Sequence, residues 1–392
     1  MKIEVILSRQ ATGAGFAQDI RHKVAGAVPD VALIHYDCTI DADDLQSGLS
    51  GVARHVHGAT SCLGAMSHLG HTTAQNGGGA AFLIYDPDGD YGTACAAFDG
   101  DARETAQSVV TAAVAAADRA GEAPDLVWLS TSPGQEESVL EGIRDILGAD
   151  VPIIGGSAAD NDISGGWAMF DEQATTSDGV LVTVMFPSTR LSFAYQNGYA
   201  PTAQAGTVTK ADGRRILEID GRPAAEVYAR WTGQAAVAGT PAQDENILAQ
   251  STLWPLGREI GAVQGITQYL LAHPAGAHPD GSLSLFADVA EGEVLTQMTG
   301  DPGALADRAG RVAAMAATRD GGAPQIAGAL MVYCGGCMLA VQDYMDRVVE
   351  GVQAALPDVP MLGTFTFGEQ GPIQNSGSRH GNLMISCIAF ER

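Results

Sequence analysis

Cys334-Gly335-Gly336-Cys337 is the spacing in this chain most suggestive of chemistry. Two thiols three residues apart form a redox pair when they open a helix that stabilises a thiolate. They form half of a structural zinc site when a second matched pair exists. No second pair is present, and Cys62 with His68 or His71 would complete a site only if the fold happened to bring them together. Cys62, Cys334 and Cys337 are therefore redox candidates, and small residues at a crowded strand-to-loop turn are the plainer account. His55, His57, His68 and His71 flank one glycine-led loop, while His380 precedes the last strand. His273 and His278 lie in a Pro/Gly-rich stretch that is expected to be exposed. A further set is neutral or acidic. Ser157, Asp160 and Asn161 follow a glycine pair, and Glu369 follows Gly368 in a second such loop. If both loops share a sheet edge, these residues can hold a ligand amine or orient a histidine.

The elements that must position these residues repeat. Three stretches read as strand, helix, second strand and glycine-led loop: Val31 to Cys62 (with a helix over 43–56), Leu126 to Ser157, and Ala329 to Thr364. The last two share Asp-Val-Pro, two apolar residues and a glycine (Asp150 to Gly155, Asp358 to Gly363). Open α/β sheets bind small molecules beyond the carboxyl ends of their strands, so a pocket is expected among these loops. The expected fold is α/β and two-domain, with mixed sheets and α+β elements in the C-terminal half. Residues 1–222 form the first domain and 223–392 the second. Other landmarks are strands at Ala80 to Tyr85 and Gly179 to Phe186, with Leu191 to Tyr195 continuing as a partner strand. A hairpin is expected over 207–223, helices at Ala224 to Trp231, Ala102 to Ala120 and Pro302 to Thr318, and a closing strand from Asn382 to Phe390.

Several activities are excluded. Gly13-Ala14-Gly15 mimics a dinucleotide fingerprint, but Gln18 stands at the third glycine position. Asn76-Gly77-Gly78-Gly79 lacks the Lys-Ser/Thr of a phosphate loop and reads as a turn, and no Gly-x-Ser-x-Gly elbow is present. A formal charge of -25, with no basic run, disfavours nucleic-acid backbones and anionic membranes as partners. No apolar run reaches the roughly 18–20 residues of a membrane span, and Met1 to Leu7 is a short strand rather than a signal peptide. A cytoplasmic protein with reduced cysteines is expected.

In order along the chain, five segments resemble the FIST family of bacterial sensory proteins. They are Gly58-Ala59-Thr60-Ser61-Cys62-Leu63-Gly64, Gly155 to Asn161, Thr209 to Ala224, Ala329 to Cys334, and Gly363 to Pro372. The resemblance implies an N-terminal and a C-terminal FIST region, small-ligand sensing (amino acids among the ligands), and no catalysis. Stand-alone members of the NosP type bind haem, sense nitric oxide and regulate a histidine kinase or a cyclic-di-GMP enzyme, and this chain is similar to them in having no recognisable output segment. On that resemblance haem b is the expected cofactor, its iron the only metal, nitric oxide the expected signal, and a homodimer possible. With no Cys-x-x-Cys-His for covalent attachment, the axial ligand is expected among His57, His68, His71 and His380. Met66, Phe365 and Phe367 would line the slot. The haem-free alternative uses Ser157, Asp160, Asn161 and Glu369, and a second alternative is a cysteine-dependent enzyme or redox sensor. Where family members often carry Gly-Arg after the cysteine equivalent to Cys334, this chain has Gly335-Gly336, so a basic side chain is missing there.

Overall fold

One pattern is written three times in this computed structural model, which describes residues 1–24, 26–72, 77–263, 265–318, 325–373 and 376–392. Each unit runs strand, helix, strand, helix, strand, hairpin, strand. The first comprises Lys2–Ser8, Gly13–Lys23, Val31–Tyr36, Ala42–Gly48, His55–Thr60, the hairpin Ala65–Ser67/Gly70–His71, and Gly79–Tyr85. The second comprises Asp90–Ala97, Ala102–Ala116, Leu126–Thr131, Glu136–Leu147, Ile153–Ser157, the hairpin Met169–Phe170/Thr175–Thr176, and Gly179–Phe186. The third opens with Leu191–Asn197 and resumes with Pro302–Ala316, Ile326–Cys334, helices Gly335–Ala340 and Met345–Ala355, and Met361–Thr366. It closes with the hairpin Glu369–Ile373/Gly377–Gly381 and Met384–Glu391. The opening helices are capped alike: Thr12, Asp101 and Asp301 each accept a first-turn N–H, which satisfies a donor the helix cannot.

Each unit builds a sheet in the order first, last, second, third strand, and the hairpin of another unit completes it. The first unit's hairpin joins the third sheet, the second's joins the first, and the third's joins the second. In every sheet only the second and third strands run parallel, as expected of a strand-helix-strand crossover. The swaps close a ring, as in a cyclic trimer made within one chain. Three backbone bonds draw it shut. The Cys62 N–H donates to Phe365 O (3.0 Å), Ala159 N–H to Thr60 O (3.2 Å), and Phe367 N–H to Ser157 O (3.2 Å). These partners occupy matching places when Gly58, Gly155 and Gly363 are aligned. All three glycines are fixed by crowding, Gly155 by the Leu129 backbone of the neighbouring strand and the other two by side chains. A Cβ on Gly363 would stand 2.5 Å from Met66 Cε, and one on Gly58 would collide with the Phe170 ring, both from swapped hairpins.

Inner faces of the three sheets share one core, to which Phe82, Trp128 and Phe390 contribute from one sheet each. Burying such a side chain is worth roughly 2–3 kcal/mol. Outer faces pack under each unit's helices, as Val109, Val110 and Val139 do over Val127 and Leu129. A further sheet of nine strands, over 200–299, is inserted between the first strand and first helix of the third unit. Its ends pair with each other, Ala200 opposite Thr299, so about a hundred residues enter and leave at one point.

The α/β fold with mixed sheets and the repeated units is as expected, and the repeat is more complete than the three stretches suggested. Three details differ. The helix expected over 43–56 is Ala42–Gly48, because the chain turns back at Leu49 to begin the strand at His55. The glycine-led segments are strand ends rather than loops, held by the swapped hairpins. Leu191–Asn197 pairs with Met384–Glu391 rather than with Gly179–Phe186, because it opens a new unit. Residue 222, where the sequence suggests a division, falls inside the inserted sheet. Asn76 lies outside the described residues. Among the described residues, no helix is long and apolar enough to cross a membrane.

Candidate functional site

The parallel strands end together around the hydrogen-bonded ring, where sequence reasoning expects ligands. Beside the ring a cavity of about 260 Å³ opens between the second unit's loop after Ser157, the third unit's Cys334 and Phe367, and the inserted sheet. Its wall is chiefly apolar or aromatic: Ile163, Leu248, Phe286, Leu339 and Phe367. Its polar groups are Asn161, Asp162, Asn246, His273, Asn382 and the Cys334 thiol. No lysine or arginine is among the described lining residues.

Each polar group is held in place. The Asn161 side chain accepts the Leu63 N–H (2.7 Å) through Oδ1 and donates to Asp37 Oδ2 (3.2 Å), so it ties the second unit to the first. Behind it, buried Asp160 accepts backbone N–H groups of Ile163 (2.6 Å), Gly165 (2.8 Å) and Gly166 (2.8 Å) and shapes the loop. Asp160 is thereby occupied as an organiser. Asn382 accepts the His273 N–H (3.1 Å). His273 Nε2 lies 3.2 Å from Leu248 O, so Nε2 carries the proton and Nδ1 is the acceptor. Burial lowers the pKa of His273 to about 4, against a smaller opposing effect of that carbonyl, so the ring is neutral at pH 7. Its exposure is 3%, which corrects the expectation of an exposed residue: the Pro/Gly-rich stretch after it is a strand of the inserted sheet, Pro274–Ala277, and His273 itself lines the pocket.

Cys334 lines the pocket, and Cys62, Cys337 and Glu369 are buried behind it. Cys334 caps the helix Gly335–Ala340, so the Cys-x-x-Cys motif does open a helix. Burial nevertheless pushes the Cys334 thiol well above its usual pKa, with Cys337 adding to the rise, and Cys62 is pushed up to about 12 by burial and Cys334. Neither is a thiolate at pH 7. Cys337 lies 3.5 Å from the Tyr199 hydroxyl in the core. Glu369 is fully buried, and accepts from Thr366 Oγ1 (2.9 Å) and Met384 N–H (2.9 Å). Burial first, then Cys334, raises its pKa well above the carboxylate range despite those two donors. It is sealed beneath the pocket and is not one of its lining residues.

The other expected residues scatter. His57 is fully buried between Ser130 Oγ (2.9 Å) and Thr183 Oγ1 (3.0 Å), and burial holds its pKa well below the usual value. His68 accepts the Met361 N–H (3.2 Å), and His71 lies 3.1 Å from Asp346. His380 lies 3.0 Å from Phe286 O and 3.2 Å from the Gln370 amide. Met66 and Phe365 are sealed in core, and Ser157 donates to Glu136 (2.7 Å). Of the residues proposed for haem, only Phe367 reaches the pocket. Haem needs an imidazole beside a large apolar slot. Of those four histidines, His57 has both ring nitrogens engaged, His380 lines a charged groove, and His68 and His71 line neither that groove nor the pocket. The pocket is also smaller than the roughly 300–1,000 Å³ of sites for drug-sized ligands. The expected residues therefore do not fit a macrocycle. Glu136, Glu137 and His380 have ligand atoms within 4.8 Å of one another, but Arg214 already bridges the two carboxylates.

Two family models match nearly the whole chain. The FIST N domain matches residues 30–222 and the FIST C domain residues 224–372. The chain is a FIST protein. Its two FIST domains point to a sensory or small-ligand-binding role, and their junction lies in the inserted sheet. An uncharacterized protein of Mycobacterium tuberculosis is 25% identical over 245 residues, 60% of this FIST protein and 61% of the relative's own length. An uncharacterized protein of Methanocaldococcus jannaschii is 34% identical over 88 residues, 22% of this chain and 17% of the relative. A crystal structure of a cyanuric acid hydrolase from A. caulinodans aligns with 100% of this chain and 99% of its own, at 10% identity and a TM-score of 0.36. That likeness is too loose to carry an argument.

The sequence pointed to Asn161, Cys334 and Phe367, all of which reach the pocket. It missed His273, Phe286, Leu248 and Asn382. Three of these come from the insertion, whose place over the ring has no local sequence signal. Asn382 lies in the bend just before the last strand, Met384–Glu391.

Proposed function

We propose that this FIST protein is a non-catalytic sensor whose ligand is a small, largely apolar molecule, neutral or cationic, bound in the pocket beside Cys334. The observation that carries this is the lining: aromatic and aliphatic faces, fixed neutral amides, and no cation. A buried carboxylate without a counter-charge is strongly disfavoured, so an amino acid, whose carboxylate would meet no lysine or arginine here, fits less well than an amide, an amine or a ring. The missing arginine after Cys334 acts in the same direction. The raised thiol pKa values favour binding over nucleophilic chemistry. The wall belongs to two units and the insertion, so an occupied pocket would bias how these pack. Such a shift would be read by a partner, which the family resemblance suggests is a histidine kinase or a cyclic-di-GMP enzyme.

Benzamide, benzylamine and benzoate share one ring and differ in charge, so thermal-shift titration with the three tests the reading. Benzamide or benzylamine should raise the unfolding midpoint saturably, benzoate should not, and Leu339→Trp, which plugs the mouth, should abolish the effect. Preferential stabilisation by benzoate, or equal shifts in the variant, would defeat it. The haem and nitric-oxide reading is tested separately: a histidine-type Soret band after haem supply would displace the small-ligand proposal.

A further inference from the structure

His273 sits between the inserted strands Ile266–Ala272 and Pro274–Ala277, and its main chain is fixed on both sides. Its N–H donates to Asn382 Oδ1 (3.1 Å), and its carbonyl accepts the Phe286 N–H (3.2 Å). The ring is fixed through one nitrogen only. Nε2 lies 3.2 Å from Leu248 O and 3.4 Å from Thr252 Oγ1. The Thr252 hydroxyl spends its own proton on Leu248 O (2.9 Å), so both neighbours of Nε2 accept. Nε2 therefore carries the proton, and Nδ1 presents a lone pair. Among the described residues nothing donates to Nδ1.

That lone pair differs from other unpartnered nitrogens of the fold. Both ring nitrogens of His35 are sealed in the core, whereas His273 lines the pocket. A Cβ on Gly336 would stand 3.5 Å from His273 Cε1, the carbon beside Nδ1, so the bare glycine leaves room along this edge of the ring. Neighbouring polar groups are already engaged. Asn161 is bonded to Leu63 and Asp37, and Asn382 holds the His273 N–H. Asn246 accepts the Leu248 N–H (3.0 Å) and Asp162 the Ser164 N–H (3.2 Å), and both are exposed. The buried interior thus offers a ligand one strong acceptor. Burial, by lowering the pKa of the ring to about 4, keeps that acceptor available at pH 7.

We infer that His273 selects the ligand: the pocket takes a molecule that donates an N–H to His273 Nδ1, as amides and amines do, and discriminates against an isostere with no donor. The inference rests on the pocket reading above and narrows it, since a bare apolar ring no longer qualifies. Its physical basis is asymmetric. A ligand that covers Nδ1 with a methyl group strips the nitrogen of water and returns nothing, which costs more than a hydrogen bond contributes. Sites built around a hydrogen bond reject analogues that lack it for this reason.

Benzamide and acetophenone share a ring and a carbonyl and differ by an amino group in place of a methyl, so isothermal titration calorimetry of the full chain with each tests the inference. If the apolar wall alone decided, acetophenone, the less polar of the two, would bind more tightly. Benzamide should instead bind about tenfold or more tightly than acetophenone. His273→Phe should erase that preference, and His273→Gln, whose amide can both donate to Leu248 O and accept from the ligand, should retain most of it. The wild-type comparison holds whether or not His273→Phe folds. Equal or tighter binding of acetophenone, abolished by Leu339→Trp, would overturn the inference and leave the pocket reading standing, as would an undiminished preference in His273→Phe. Binding of neither compound would bring down the pocket reading and this inference with it.

Discussion

Replacing Glu369 with glutamine should change how stability depends on pH, in a direction fixed by burial. Glu369 is sealed under the pocket, and its pKa is raised well above the ordinary value of 4.5, chiefly by desolvation. The folded protein then keeps a proton that the unfolded chain releases above pH 4.5. The contribution of this group is fully present below pH 4.5 and is lost as pH rises toward its folded-state pKa. Across that window a one-proton difference amounts to about 1.4 kcal/mol per pH unit. Glutamine keeps the shape, can accept from Met384 N–H, and can pair with the Thr366 hydroxyl, but it does not titrate. Urea unfolding of both proteins at pH 5, 6, 7 and 8 gives the difference directly. The variant should gain on the wild type by about 1.4 kcal/mol for each unit of rising pH until the folded-state pKa is passed. Parallel stability curves would mean that Glu369 ionises alike in both states, and would refute its assignment as a neutral buried acid.

Buried histidines should produce the opposite slope on the acid side. The pKa of His35 is lowered to about 3 and that of His273 to about 4, both mainly by burial. The unfolded chain therefore binds more protons below pH 6.5, and stability falls as pH falls through that value, by about 2 kcal/mol for each at pH 5. His35→Leu should remove one such share in urea titrations at pH 5 and 7, and an unchanged pH 5 to 7 difference would show that His35 is not buried neutral. Gly58→Ala should lose about 1–3 kcal/mol through collision with Phe170, and Phe170→Leu in the same chain should recover part of it. Loss below about 0.5 kcal/mol, the range of an ordinary surface change, would contradict the hairpin swap at that position.

Much of the architecture was legible in local pattern. Val31 to Ile34, Leu126 to Leu129 and Ala329 to Tyr333 announce buried strands by their apolar runs, and the glycines after them announce close approach. What local pattern cannot carry is exchange between units. Nothing around Met66 or Phe170 states that each packs onto a glycine in another unit's sheet, and nothing around Leu191 reveals a partner nearly two hundred residues away. The candidate site was legible in part for the same reason. Asn161, Cys334 and Phe367 lie where strands end, a place that periodicity predicts. His273 and Phe286 arrive from an insertion whose docking depends on long-range packing. Histidine as a residue type misled: His57 is placed by two hydroxyls in the core, and His380 by Phe286 and Gln370, so both read as structural.

A crystal structure of the protein soaked with benzamide tests the central claim most directly. The account predicts the ring between Phe367 and the inserted sheet, with its amide among Asn161, Asn382 and His273. An empty pocket at saturating benzamide, or the ligand bound only elsewhere on the molecule, would contradict it.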